Sequence, residues 1–304
     1  MGLEQGPPLD LRKLRYFVAV AEELHFGRAA ERLYIAQPVL SRQIRKLERE
    51  VGAELLVRSS RNVALTPAGA KVLDEARSLL AAADAAQRRL GGITRGETTL
   101  TIGFFVGDDF GAARDAFSAR HPSVAIELLR IYWHDQTQVL LDGMADVAFV
   151  HLPIDDQGLN TLHVRSEPRV AVLPTDHPAA DRSEVSIAEL ADDPVIIQRG
   201  ASPGWQRFHN VDPRPDGRHP RPGPAVDNVE EKLQQVAAGR AISFLPASVA
   251  AAVTQPGIAY VSVNDIPPIE ICLAWKADLA SPLAAAFADC VKDAGRQPQR
   301  QPIG

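Results

Sequence analysis

Residues 16–69 read YFVAVAEELHFGRAAERLYIAQPVLSRQIRKLEREVGAELLVRSSRNVALTPAG, and the spacing of apolar side chains in and around this stretch decides the fold. Just upstream, Asp10 is a good N-cap. Leu11, Leu14, Phe17, Val18, Ala21 and Leu24 then fall on one stripe at about 100° per residue, which predicts an amphipathic helix. His25, Phe26 and Gly27 interrupt it. Residues 28–33 make a compact second helix whose Ala29 and Ala30 allow close helix contact, and residues 34–37 form a short turn. Pro38 suits the first position of a third helix, where its missing N–H is no loss, and Leu40, Ile44, Leu47 and Val51 repeat on one face until Gly52 ends it.

The opposite face of the third helix carries the functional argument. With Leu40 at the origin, Pro38, Arg42, Arg45 and Arg49 all fall roughly 140–200° away, so three arginines project from the core. A solvated cationic face partly offset by Glu48 and Glu50 is one reading. The other is that two short helices joined by a tight turn, the second exposing Arg, Ser and Gln from its N-terminal end, form a helix-turn-helix whose second helix enters the major groove. After Gly52, residues 54–58 and 62–66 read as short strands around Ser59, Ser60 and Arg61, a β-hairpin wing. Arg58 and Arg61 there reach a phosphate or the neighbouring minor groove, or else make a solvated basic turn.

Residues 16–69 strongly resemble, without a gap, the winged helix-turn-helix of LysR-type transcriptional regulators. The resemblance implies a DNA-binding domain over residues 1–66 and double-stranded DNA with a pseudo-palindromic operator as partner. By position, Gln37, Pro38, Ser41 and Arg42 become the base- and backbone-contacting set, with Arg45 on the same face and Arg58 and Arg61 on the wing. Arg42 can donate bidentately to guanine O6 and N7, while Gln37 and Ser41 serve bases or phosphates. Gly27 is a departure: the family usually places Ser or Thr there to cap the second helix and touch phosphate.

Thr66 and Pro67 open a further helix that is expected to span residues 67–92, with Gly91 and Gly92 as its C-cap. Val72, Ala76, Leu79, Ala83, Ala86 and Leu90 form a narrow stripe that Leu73 and Leu80 widen. This stripe packs on its own domain or on a second helix, and the resemblance favours a dimerising linker in a homodimer or homotetramer, with RNA polymerase as a further partner.

From residue 97 onward, strand-like runs at 98–104, 124–131, 146–151, 169–173, 195–197, 241–245 and 269–275 alternate with helical patterns at 110–119, 136–142, 229–238 and 282–293. Such alternation predicts parallel α/β sheets, and the Pro/Gly/Arg-rich residues 212–224 read as a loop. The region resembles the family's effector-binding domain, a two-lobed α/β fold like periplasmic solute-binding proteins. Residues 97–170 and 265–304 would form the first lobe and 171–264 the second, with a small-molecule effector between them. The expected effector-binding residues are Phe105 and Gly107 after the first strand, Trp133 after the second, Gln198, Arg199 and Ser202 in the second lobe, and Asn228 opening a helix. The style is that of the branch answering aromatic catabolites, which makes an aromatic or carboxylate metabolite the expected ligand. Gly107 and Trp133 stand where that branch carries ligand-binding hydroxyls. Arg199 either pairs a carboxylate or lies exposed on the surface, and Phe105 and Trp133 either stack a ring or fill core.

The run Gly200-Ala201-Ser202-Pro203-Gly204 matches the hydrolase nucleophile-elbow pattern, which makes an enzyme the alternative reading. The residue after the nucleophile must lend its N–H to the oxyanion, and Pro203 has none. The eight histidines show no metal-binding spacing, and no Walker A or dinucleotide fingerprint occurs, so neither catalytic residues nor cofactors nor metals are expected.

Composition agrees. The chain has 304 residues, 45% hydrophobic and 23% charged, enough for about two domains and too well patterned for disorder. Residues 1–96 carry 16 Lys+Arg against 11 Asp+Glu, whereas residues 97–304 carry 17 against 27, a cationic head on an acidic body. Cys272 and Cys290 lack any paired spacing and read as buried thiols. No apolar run is long enough to span a membrane, and residues 16–21 are too short for a signal peptide, so a cytoplasmic protein is expected.

Overall fold

Asp10 caps α1 (Leu11–Glu23) by accepting from the Arg12 N–H at 3.0 Å. α2 (Phe26–Arg32) and α3 (Gln37–Val51) follow, and the three helices bury Phe17, Val20, Ala29, Leu40, Ile44 and Leu47 in one core. The computed structural model describes residues 9–58, 63–95, 98–277 and 281–296. α2 begins two residues earlier than the sequence suggests because His25 caps it: the imidazole Nδ1 accepts from the N–H groups of Gly27 at 3.1 Å and Arg28 at 3.2 Å. A Cβ at Gly27 would lie 2.9 Å from the His25 ring, so the missing side chain makes room for this cap.

β1 (Leu56–Arg58) and β2 (Val63–Leu65) pair antiparallel, with Leu56 opposite Leu65. α4 (Pro67–Arg95) starts where Thr66 Oγ1 accepts from the Gly69 N–H at 2.8 Å. The expected stop at Gly91 and Gly92 is not seen, and the helix runs on to Arg95. Two glycines cost about 1 kcal/mol each against alanine, and a helix already propagated through an Ala- and Leu-rich stretch absorbs that. The α4 stripe divides: Leu73, Ala76 and Leu80 are buried against α1 to α3, while Leu79 is exposed. The side chain of Leu90 lies outside the described set.

The chain divides into two units, Met1–Gly91 and Gly92–Gly304. The second contains β3 (Thr98–Phe104), α5 (Gly111–Arg120), β4 (Val124–Arg130), α6 (Gln138–Leu141), β5 (Val147–His151), β6 (Leu159–Glu167), β7 (Arg169–Pro174), β8 (Val195–Gln198), α7 (Pro203–Asn210), β9 (Pro222–Val226), α8 (Val229–Ala237), β10 (Ser243–Pro246), α9 (Ala247–Ala252), β11 (Ile258–Val263), β12 (Ile269–Lys276) and α10 (Pro282–Arg296). The first lobe is a five-stranded sheet ordered β4-β3-β5-β12-β6. β3, β4 and β5 run parallel, but β12 is antiparallel to both β5 and β6, so the sheet is mixed and not all-parallel as expected. The reason is connectivity: β6 leaves the lobe and β12 returns to it, and strands entering and leaving side by side run opposite ways. Phe117 and Phe287, on α5 and α10, pack edge to face at 5.6 Å over one side of this sheet.

The second lobe holds β10-β7-β11, all antiparallel, and the parallel pair β8-β9. β9 begins at Pro222, inside the stretch expected to be loop, where edge pairing with β8 tolerates prolines. The lobes join through two crossings, Pro168 between β6 and β7 and residues 264–268 between β11 and β12. Arg169, 2% exposed, ties them: its Nε donates to the Pro267 carbonyl at 2.8 Å and a terminal nitrogen to the Phe208 carbonyl at 2.9 Å. Burial lowers its pKa to about 10. Cys272 and Cys290 are buried free thiols. Among the described residues no helix is long and apolar enough to cross a membrane.

Candidate nucleic-acid interface and inter-lobe cavity

α3 keeps its apolar positions inward, which leaves Gln37, Pro38, Arg42, Arg45 and Arg49 exposed and Ser41 half-buried. Among the described residues the guanidinium groups of Arg42 and Arg45 have no partner, and Arg49 Nε donates only to the Arg45 carbonyl at 3.3 Å. Arg42, Arg45, Lys46 and Arg49 line an open groove of about 1050 Å³, which Glu48 and Glu54 also line. Both acids of the helix are engaged: Glu48 accepts from the N–H groups of Leu55 at 3.1 Å and Leu56 at 3.3 Å, and Glu50 is held by Lys13. Glu50 is thereby withdrawn from the arginine row, whereas Glu48 stays in the same groove and offsets the row in part. Arg61 and the side chain of Arg58 lie outside the described residues.

In the body, Phe105 and Gly107 belong to a turn fixed by Asp108, whose Oδ2 accepts from the Phe105 N–H at 2.8 Å. Asp108 Oδ1 also takes His151 Nε2 at 3.1 Å and Arg165 at 3.3 Å. Gly107 has φ +88°, and a Cβ there would stand 2.8 Å from the backbone of Val249 on α9. The two lobes touch at this point, and only glycine permits it. Trp133 reaches across as well, its Nε1 donating to the Arg199 carbonyl at 2.9 Å.

Phe105 and Trp133 come together in a cavity of about 30 Å³, lined also by His151 of the first lobe and by Trp205, His209, Lys232, Phe244 and Val249 of the second. The remaining expected residues are engaged elsewhere. Gln198 is buried and donates to Asn210 at 3.1 Å. Arg199 is exposed, pairs with Asp227 and donates to the Ala225 carbonyl at 3.0 Å. Ser202 caps α7 by accepting from the Trp205 N–H at 3.2 Å, and Asn228 caps α8 by accepting from the Glu231 N–H at 2.8 Å. His209 lies in α7 and stacks on Trp205 with centroids 3.5 Å apart; its Nε2 has no hydrogen-bond partner, and the Ser202 hydroxyl is engaged with the Trp205 N–H.

Lys232, Trp205, His209 and His151 escaped the sequence reading. A signal existed for one of them: Lys232 interrupts the apolar stripe of Val229, Leu233 and Val236. Burial drives the Lys232 amine down to about 7. His209 is held well below the usual imidazole range, first by burial and then by His151, Lys232 and Arg169.

Comparison with known proteins places this geometry. The bacterial regulatory helix-turn-helix protein, lysR family, matches residues 11–70, and the LysR substrate binding domain matches residues 95–296. The Hca operon transcriptional activator HcaR of Escherichia coli is 32% identical over 94% of this chain and 98% of its own length. The regulator YnfL of Escherichia coli is 40% identical over 62% of this chain, and the match spans 65% of YnfL. Among solved structures, CbnR, a LysR family transcriptional regulator, superposes with a TM-score of 0.64 at 25% identity, covering 95% of this chain and 100% of that one. Full-length BenM gives 0.53 at 31% identity, covering 94% and 96%. The chain belongs to the LysR family of transcriptional regulators: it joins a DNA-binding helix-turn-helix domain to an effector-binding α/β body, and it is a regulator rather than an enzyme.

Proposed function

We propose that α3 reads an operator in the major groove through Gln37, Pro38, Ser41, Arg42 and Arg45, with Arg58 and Arg61 of the hairpin on the flanking backbone. The observation that supports this most is the exposed arginine row of α3, in which the guanidinium groups of Arg42 and Arg45 have no partner among the described residues while Glu50 is held by Lys13. Two copies of the chain, paired through α4 as a homodimer or within a homotetramer, would present two such helices to a pseudo-palindromic site in the cytoplasm. The small-molecule effector binds between the lobes, against Phe105 and Trp133, with Gly107 setting their approach and Gln198, Arg199, Ser202 and Asn228 framing the second lobe. An aromatic or carboxylate metabolite acts there by favouring one arrangement of lobes over another; equal affinity for both would regulate nothing.

The test begins with genomic fragments selected by the full-length protein, followed by anisotropy titration of the recovered site. Saturable, salt-sensitive binding that discriminates the site from scrambled DNA is expected. Equal affinity for both sequences at every salt concentration would remove the operator reading. For the body, a metabolite that alters operator binding identically in the wild type and in Trp133→Ala would remove the inter-lobe reading.

A further inference from the structure

Lys232 is an odd occupant of the buried face of α8. Its neighbours on that stripe are apolar, and its side chain is 1% exposed. An ammonium carries three donors and no acceptor. Among the described residues none of the three has a hydrogen-bond or ion-pair partner; the contact it does make is with the face of Trp133, whose centroid is 5.1 Å from Nζ. A cation–π contact replaces only part of the hydration a buried ammonium loses.

One more donor ends on the same cavity without an acceptor, the buried Trp205 Nε1. The acids nearby are already committed. Asp108 holds His151 and Arg165, while Glu167 holds Arg165 at 2.6 Å and the Ser248 N–H at 3.2 Å. The cavity thus presents positive charge and spare donors, and it lacks a negative group. That deficit matches an anion.

The walls limit what else the anion can carry. A ring inserted between Trp133 and Trp205 needs about 7 Å, two contacts of roughly 3.5 Å. Their centroids are 6.0 Å apart and the rings are tilted by 36°. The other aromatic faces are taken, Phe105 by His151 at 4.3 Å and Trp205 by His209 at 3.5 Å. A cavity of about 30 Å³ exceeds the 10–15 Å³ that one water requires but holds no ring.

We infer that this cavity binds a compact aliphatic monocarboxylate, its carboxylate accepting from Lys232 Nζ and Trp205 Nε1 while Phe105, Phe244 and Val249 enclose a tail of one or two carbons. The inference rests on the inter-lobe effector reading and narrows it to one ligand class and two donor residues. Because Trp133 and Lys232 come from different lobes, the anion also favours the closed arrangement.

Acetate and propionate, with benzoate as the ring-bearing probe, are titrated into the full-length protein at matched ionic strength. Tryptophan fluorescence and calorimetry read the binding. Saturable binding of acetate or propionate is expected, with benzoate at least tenfold weaker. Lys232→Met should lose at least tenfold, and Trp205→Phe, which keeps a ring but removes the donor, about threefold. Failure of both short acids to saturate the folded wild type overturns the inference, as does unchanged affinity in both variants. If Lys232→Met does not fold, Trp205→Phe alone decides. Benzoate binding that depends on Lys232 overturns the ligand class but leaves the inter-lobe effector site standing. Displacement of the regulatory metabolite's effect by neither substitution, nor by Trp133→Ala, counts against the site itself.

Discussion

Lys13 Nζ lies 2.7 Å from both carboxylate oxygens of Glu50, although Lys13 is 6% exposed and the two residues sit 37 positions apart. The contact joins α1 to the C-terminal half of α3, and the Glu50 hydrogen bond holds the Lys13 ammonium above the ordinary lysine range. It also withdraws one negative charge from the helix proposed to face phosphate. Lys13→Met frees that carboxylate. The variant should melt earlier than the wild type and bind operator about two- to fivefold more weakly, the scale of a single partly screened charge. Melting curves paired with anisotropy at two salt concentrations check this; equal affinity at low salt would show that Glu50 never bears on the DNA face.

Arg42 and Arg45 project from one face of α3 but are expected to fail differently. Arg42 is near the N-terminal end of the helix, where a bidentate contact to guanine is worth about 1–3 kcal/mol of discrimination. Arg42→Ala should therefore lower affinity for the operator and narrow the gap to scrambled DNA. Arg45 lies about one turn further along α3, where a contact to phosphate is expected, so Arg45→Ala should weaken both equally and reduce the slope of log K against log salt by about 1. A uniform loss in Arg42→Ala would move it from base reading to backbone anchoring.

The His25 cap gives a sharper stability test. A side-chain acceptor at an N-cap contributes about 0.5–2 kcal/mol, and here the imidazole serves two N–H groups at once. His25→Ala should lose stability on that scale, whereas His25→Ser, which restores an acceptor at the same position, should recover most of it. Denaturant titration of the three proteins decides; equal losses in both variants would mean that the ring packs and does not cap.

These positions show what a sequence makes legible. The helix-turn-helix and the arginine face follow from a 3.6-residue period over three successive helices, a local signal that packing did not override. α7 was hidden because residues 200–204 look like a turn, yet Ser202 followed by Pro203 is also a capped helix start. β6 was missed because its Asn, Thr, His, Arg and Ser dilute the apolar alternation, and what fixes it is long-range pairing with β12. The carboxylate role assigned to Arg199 could not be judged from sequence, since its pairing with Asp227 depends on β8 lying beside β9. Lys232 escaped as well, although a cation in the apolar stripe of Val229, Leu233 and Val236 was a signal that could have found it.

The same lysine predicts a pH dependence of stability with a definite sign. Its amine titrates near 7 in the folded chain and near 10.5 once unfolded, so between those values the unfolded state binds more protons and stability rises with pH. Below about pH 7 both states are charged and the full penalty of burying the ammonium is present. The groups facing it do not cancel this: His209 on α7, His151 on β5 and Arg169 on β7 are basic, and Asp108 and Glu167 are held by Arg165 and their other partners. Lys232→Met should therefore be more stable than the wild type, by on the order of 3–5 kcal/mol at pH 6, with the gain shrinking steadily toward pH 10. Adding acetate at pH 6 should raise the melting temperature of the wild type and leave that of the variant unchanged. Melts at pH 6, 7.5 and 9 measure the difference. A stability gap that stays constant across the three would mean that Lys232 is paired in solution and that the buried charge drawn here is already neutralised.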